Sequence, residues 1–440
     1  MKRSFFFLLG ILLSYADAFA QKEVSGVYVG GHIRRERPGT ITKLRNSGFT
    51  YVILFNVHVD PDGTLKTDGE TICKDGVYVF QKTQPNYQQD IRNLKTAPTS
   101  ISRIDICIGG WGNDAYTNIK NLVNSQGTGS NSILYRNFKA LKEAVPEIDA
   151  VNNDIEQDYD VESGAKFHIM MYDLGYLTTL APYTYKNYWT SLCSKIRAAR
   201  PDAVDRVMIQ CYDGGAGNVN SVGSWNFTGV SNRHAGLMYY SNDWSVEKNL
   251  AQFQKWHDDG VATGGFVWVY NDESWDLNAW ASGMNRIFGA FTVPEEQVAV
   301  RCYSEKNYKG YCVALPEGKF TQADLAVYGL KANDLSSLEI VDDFYQVILY
   351  TTPNHTGSRL TRKASAKQLS SNYDNKVCSI IVEPNPTRID NVNDNVNDNV
   401  NVNNGQCSMV NDKNIYNLAG QRLQKMQKGI NIVNGKKILF

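Results

Sequence analysis

Asp149-Ala150-Val151-Asn152-Asn153-Asp154-Ile155-Glu156 reads as a short strand that carries its acids out of an apolar core. Side chains two apart in a strand share a face, so Asn152, Asp154 and Glu156 point one way. Val151 and Ile155 point the other way, toward a helix layer, and Asn153 breaks that pattern. Acids converging near the C-terminal end of a parallel strand lie where barrel active sites are built. A carboxylate neighbour favours a protonated Glu156 at neutral pH, the state a general acid needs. Taken alone, the segment reads equally well as a solvated acidic loop running on into Asp158, Asp160 and Glu162.

The flanking sequence repeats the strand signal. β-rich runs are expected at 24–29, 51–59, 104–108, 150–155, 177–181, 206–212, 235–240 and 265–270. Several are nearly continuous apolar stretches, as strands buried on both faces should be. Amphipathic helices lie between them, at 133–144 and 185–199 for example. In the second, Tyr188, Trp189, Leu192, Ile196 and Ala199 recur at helical spacing. Eight strands with helices between them, over about 270 residues, predict a (β/α)8 TIM barrel across residues 24–292. A doubly wound open sheet is the competing α/β arrangement, but no Gly-rich phosphate loop follows the first strand.

Past this region the rhythm changes. Residues 297–384 alternate short strands with turns, which predicts a small all-β Greek-key domain. It contains two copies of about forty residues. Tyr303, Tyr308 and Gly310 recur as Tyr350, His355 and Gly357, and Asn333-Asp334-Leu335-Ser336-Ser337 is echoed by Asp374-Asn375-Lys376-Val377-Cys378-Ser379. Residues 385–411 are an Asn/Asp-rich linker whose repeat at 390–404 has too few large apolar groups to fold. Residues 412–440 return to short apolar runs broken by Asn434-Gly435-Lys436-Lys437, which predicts a small hairpin.

Charge and composition narrow the partners. Lys+Arg and Asp+Glu both number 45, a balance that argues against nucleic acid or an anionic membrane surface. At the N-terminus, Lys2 and Arg3 precede an apolar run from Phe5 to Leu13, and Ala18-Phe19-Ala20 closes it. This has the form of a secretory signal over residues 1–20, so the mature chain is expected to be secreted, periplasmic or on the cell surface. No stretch is long enough for a membrane span. The eight Cys show no metal-ligand spacing. Cys107 and Cys211 read as buried thiols, while Cys302 and Cys312 flank a hairpin and are candidates for a bridge across it.

The opening segment resembles the DxxDxDxE signature of glycoside hydrolase family 18, the chitinases and endo-β-N-acetylglucosaminidases, with Asp149, Asp154 and Glu156 at matching positions. Cys107-Ile108-Gly109-Gly110-Trp111 is similar to that family's SxGG segment. Gln210-Cys211-Tyr212-Asp213 is similar to its Met-x-Tyr-Asp or Gln-x-Tyr-Asn segment, and Trp268 matches its floor tryptophan. The resemblance covers residues 24–291 and implies a glycosidase acting beside N-acetylglucosamine by substrate-assisted retaining catalysis, an exception to the two-carboxylate scheme. Catalytic roles then fall to Glu156, Asp154 and Tyr212, and substrate binding to Asn152, Gln210, Asp213 and Trp268. No metal or organic cofactor is implied for the barrel.

Departures from the family leave an alternative open. Asn152 replaces the middle aspartate and removes one charge beside Asp154. A barrel that binds glycans without cutting them, a lectin-like protein, is the second reading. The repeat in the all-β region resembles the βγ-crystallin domain, whose microbial members bind calcium. Here Ala332 and Cys378 each delete an oxygen ligand, so a structural module and a calcium binder both stay open. The residues from Ile415 onward resemble C-terminal tails of exported Bacteroidota proteins, which implies a sorting segment.

Overall fold

The computed structural model describes residues 21–35, 37–238, 245–270 and 275–386, with the backbone of four short strands between 415 and 439. The signal segment and the 390–404 repeat lie outside the described residues.

Eight parallel strands form the barrel: β1 (Ser25–Val29), β2 (Tyr51–Val59), β3 (Arg103–Gly109), β4 (Ala150–Asp154), β5 (Leu177–Leu180), β6 (Val204–Gln210), β7 (Asn232–Met238) and β8 (Gly264–Tyr270). β1 pairs in parallel with both β2 and β8, so the sheet closes on itself and the doubly wound arrangement is excluded. Boundaries shift by a few residues from those expected. The sixth strand starts at Val204 and ends at Gln210, which leaves Tyr212 and Asp213 just past the rim. Three short antiparallel strands, Leu65–Thr67, Glu70–Lys74 and Val77–Tyr78, extend β2 in an excursion for which the sequence reading had no strand.

The interior is filled in layers. Tyr51, Arg103, Asp105, Arg206 and His234 occupy the N-terminal end; Tyr28, Ile53, Cys107, Asn152, Met208 and Phe266 fill the middle. Glycine makes room for the large rings. A Cβ on Gly26 would lie 2.1 Å from the Tyr51 ring, and one on Gly236 would lie 2.1 Å from that of Phe266. The outer faces of the strands, Val151 and Ile155 among them, pack against the helices.

The all-β region forms a three-stranded sheet, with β9 (Val300–Glu305) between β10 (Lys309–Leu315) and β12 (Ser337–Ile340). A second sheet orders β11 (Gly318–Phe320), β15 (Ser379–Pro384), β13 (Tyr345–Tyr350) and β14 (Arg359–Arg362). The repeat in sequence is a repeat in structure. Tyr308 N–H donates to Ser337 Oγ at 3.0 Å, and His355 N–H donates to Ser379 Oγ at 2.9 Å. Both turns use left-handed backbone, at Tyr308 and Gly310 and again at His355 and Gly357. The bridge considered between Cys302 and Cys312 is not formed. Cys302 lies opposite Val313 while Cys312 lies opposite Tyr303, a one-residue offset that turns the two thiols to opposite faces.

The module is fastened to the last barrel helix, Leu277–Phe288. Asn285 Nδ2 donates to the carbonyls of Gly48 (2.7 Å) and Ala326 (2.8 Å), and Ala332 N–H donates to Asn278 Oδ1 at 2.8 Å. The Arg286 guanidinium stacks 3.8 Å from the Tyr311 ring centre. No helix among the described residues is long and apolar enough to cross a membrane.

Candidate active site

A cavity of about 550 Å³ opens at the C-terminal end of the barrel, lined by Asp154, Glu156, Tyr183, Gln210, Tyr212 and Trp268. Strand alternation delivers these groups. Interior positions of β4, β6 and β8 continue past the middle layer and emerge at the rim, Asp154 and Glu156 from β4, Gln210 and Tyr212 from β6 and Trp268 from β8.

Asp154 is held from two sides. Gln210 Nε2 donates to its Oδ1 at 2.7 Å and to the Ala181 carbonyl at 2.9 Å, so both amide hydrogens are used. The Cys107 thiol points to the other oxygen at 3.9 Å. Asp154 is 5% exposed, and burial together with the charge of Glu156 pushes its pKa up to about 7, against the Gln210 and Cys107 hydrogen bonds. Glu156 is also raised, first by burial and then by the charge of Asp213, while hydrogen bonds from the Tyr183 hydroxyl and the Trp111 N–H oppose the shift. Two carboxyls of this kind titrate as a coupled pair, and protonated Glu156 persists above the ordinary glutamate range.

The Gly109-Gly110 pair gives the rim its shape. A Cβ on Gly109 would sit 2.3 Å from the Asp154 carbonyl, and Gly110 N–H donates to that same carbonyl at 2.7 Å. Asn56 Nδ2 and Asn113 Nδ2 hold the Gly109 carbonyl at 2.7 and 3.1 Å. A Cβ on Gly110 would come within 2.9 Å of the Phe55 ring, and both glycines sit at positive φ, which glycine adopts freely. The turn sets Trp111 at the cavity edge, 91% exposed.

The floor is aromatic. Trp268 lies parallel to Tyr212, with ring centres 6.2 Å apart and an interplanar angle of 12°, and meets Phe55 edge-on at 4.7 Å. Such a surface offers π faces for an apolar ligand face to stack on, and the carboxyls lining the same cavity can give and accept protons. Acid–base chemistry on a ligand held in this cavity is what the geometry can perform.

Of the residues singled out in the sequence, Asp154, Glu156, Gln210, Tyr212, Asp213 and Trp268 meet at this cavity. Asn152 does not. It is fully buried one layer down, where Oδ1 accepts from the Tyr28 hydroxyl at 2.9 Å and Nδ2 lies 3.5 Å from the Met208 sulfur. Asp149 sits at the opposite end of the strand, paired with Lys95 at 2.8 Å. Asn153 faces the helices: Nδ2 donates to His168 Nε2 at 2.8 Å, and Oδ1 accepts the Ile155 N–H at 3.0 Å. His168 is therefore neutral, with its proton on Nδ1 toward Thr178, consistent with burial lowering its pKa to about 3. Sequence reasoning missed Phe55 and Tyr183. Tyr183 has a positional signal only, three residues past the end of β5.

No family model and no curated protein matches the chain. Solved structures do match. A βγ-crystallin domain from Flavobacterium johnsoniae is 32% identical over 20% of this chain and 97% of its own, with a TM-score of 0.20. The N-terminal domain of protein S is 31% identical over 20% of this chain and 97% of its own, TM-score 0.19. A βγ-crystallin domain from Clostridium beijerinckii is 26% identical over 19% of this chain and 95% of its own, TM-score 0.19. Each of these three spans about a fifth of the chain.

Proposed function

We propose that the chain is an exported glycoside hydrolase of the family 18 type, cleaving β-1,4 linkages next to N-acetylglucosamine by substrate-assisted retaining catalysis. The observation that carries this reading is the Asp154–Glu156 pair. Both acids leave one strand two residues apart, beside an aromatic floor, instead of facing each other across a sugar. A water or carboxylate nucleophile would call for acids flanking the scissile bond, whereas an acetamido group on the substrate needs only one proton donor and one partner for its N–H.

In this reading a sugar rests on Trp268 and Glu156 transfers its proton to the glycosidic oxygen. The C1–O bond breaks as the acetamido oxygen bonds to C1. Asp154, held by Gln210 and Cys107, accepts the acetamido N–H and offsets the positive charge that builds on the ring. Tyr212, buried beside Asp154, hydrogen-bonds the acetamido group. Water then attacks C1, giving its proton to Glu156, and the acetamide is released. A thiazoline mimic of the cyclic intermediate is expected to inhibit competitively, and chitooligosaccharides or high-mannose glycoproteins are expected to yield products ending in N-acetylglucosamine. Cleavage that a thiazoline leaves untouched would remove the substrate-assisted step.

One observation favours the lectin-like reading. Asn152 brings no charge to the layer beneath Asp154, and its amide is already used by Tyr28 and Met208. Binding of these glycans without products would select it.

The all-β module we read as a βγ-crystallin-type structural domain. Its pseudo-symmetry pairs Ser336 with Asp374 and Asn375, and Cys378 with Asn333 and Ala332. Ser336 Oγ lies 2.7 Å from Asp374 Oδ1, and the Cys378 thiol lies 3.1 Å from Asn333 Oδ1. Both lost oxygen ligands therefore fall on one half. In the other half, Lys306 already pairs with Asp374 at 3.3 Å. Excess calcium is expected to leave the melting temperature nearly unchanged, since only tight binding to the native state moves it. A rise of several degrees in a calcium titration would show a working site.

A further inference from the structure

Two aromatic rings stand exposed among the described residues, and both flank the strand that carries the acids. Trp111, 91% exposed, follows β3, and Tyr185, 64% exposed, follows β5; these strands are the two neighbours of β4. Tyr185 lies outside the cavity lining, two residues past Tyr183, which is part of it. One side of its ring packs on Tyr159, with ring centres 4.6 Å apart and planes inclined by 47°. Tyr159 comes three residues after Glu156 and is gripped edge-on by the buried rings of Tyr188 at 5.0 Å and Trp189 at 6.5 Å. The Tyr185 ring is therefore fixed between the loops after β4 and β5, with its other side open to solvent.

Folding gains little from a tyrosine here. Tyr185 has φ +49° and ψ +49°, the left-handed region that favours glycine and asparagine. At the start of the helix Lys186–Ala199 its carbonyl accepts the Tyr188 N–H at 2.9 Å, a task the backbone of any residue performs. A large ring held at backbone cost and left mostly in water has the profile of a ligand contact. We propose that Tyr185 is a distal stacking platform, taking a pyranose of a β-linked N-acetylglucosamine oligomer beyond those held in the cavity. This rests on the glycan reading above and holds whether or not the bound chain is cut. A cavity of about 550 Å³ suits a small ligand, so a longer chain has to leave it over the rim. On the β5 side the rim carries Tyr183 and then Tyr185. The apolar face of a sugar needs no charged partner to lie on such a ring, and a ring already immobilised by Tyr159 loses little freedom on binding.

The test compares chitobiose with chitohexaose by calorimetry, in full-length Glu156→Gln so that neither sugar is consumed. Tyr185→Asn, added to it, removes the ring and supplies a residue that adopts this backbone readily. Chitohexaose affinity is expected to fall several-fold to about tenfold, the range of an aromatic contact, while chitobiose affinity stays unchanged. Tyr185→Phe, which keeps the ring, should bind both sugars as the parent does. The melting temperature of Tyr185→Asn should hold or rise as the backbone relaxes. A fall in melting temperature without the length-selective loss of affinity would assign the ring to folding instead. Equal losses for the two sugars, or none for chitohexaose, overturn the platform and leave the glycan reading standing. If the parent binds neither sugar, the glycan reading falls and the platform falls with it.

Discussion

Glu156→Gln is expected to lower turnover by on the order of a hundredfold or more while leaving glycan affinity close to that of the wild type. Gln matches the carboxyl in shape and still offers an acceptor oxygen to the cavity, so the cavity keeps its form. It has no proton to give the leaving oxygen and no basic oxygen for the incoming water. The substitution also removes a charge that raises Asp154. Asp154 should then ionise at lower pH than its wild-type value of about 7, and the pH dependence of glycan binding should follow it down. Calorimetric binding and product analysis on the same preparation separate the two effects. Hydrolysis that survives unchanged would remove Glu156 from its role, and a wild type that binds but releases no product would place the protein in the lectin-like class.

The features legible in the sequence were those that repeat along the chain. Alternation told which side of β4 carries Asn152, Asp154 and Glu156, and the run of buried strands told that the sheet is parallel. Alternation cannot tell depth. Asn152 and Asp154 share a face, yet one is locked against Tyr28 in the middle of the barrel and the other reaches the cavity, because one strand step is a whole layer. Asn153 looked like a flaw in the pattern because its partner, His168, lies fifteen residues on and across the helix layer. Tyr183 has no motif of its own. Its place depends on where β5 ends and on glycines that follow a different strand. The Cys302–Cys312 bridge failed for a similar reason, since hairpin register is decided by the turn and a single residue of offset reverses the face.

The N-terminal end of the barrel should be as sensitive in stability as the other end is in activity. Asp105 is completely buried and receives Arg103 Nε at 2.7 Å and the Thr179 hydroxyl at 2.7 Å. Arg103, itself buried, also pairs with Asp205 and donates to Thr179 at 2.9 Å. Next to it, Arg206 binds Glu23 at 2.6 Å and stacks 4.4 Å from the centre of the Tyr51 ring, whose hydroxyl meets His234 Nδ1 at 2.6 Å. Arg103, Asp105, Thr179, Arg206, Tyr51 and His234 are buried, with only Glu23 and Asp205 partly exposed, so water cannot cheaply replace a partner lost inside. Asp105→Ala removes the one fully buried counter-charge of Arg103 and leaves Thr179 without its acceptor. A loss of roughly 3–5 kcal/mol is expected, read from the midpoint of urea unfolding. Replacing both partners, Arg103→Met with Asp105→Leu, should cost less than Asp105→Ala alone, because an apolar pair of similar volume leaves neither charge stranded. If the double variant is instead the less stable, the network is worth more as ions than as packing. A small loss in Asp105→Ala would mean that Asp205 and Glu23 already suffice to hold Arg103.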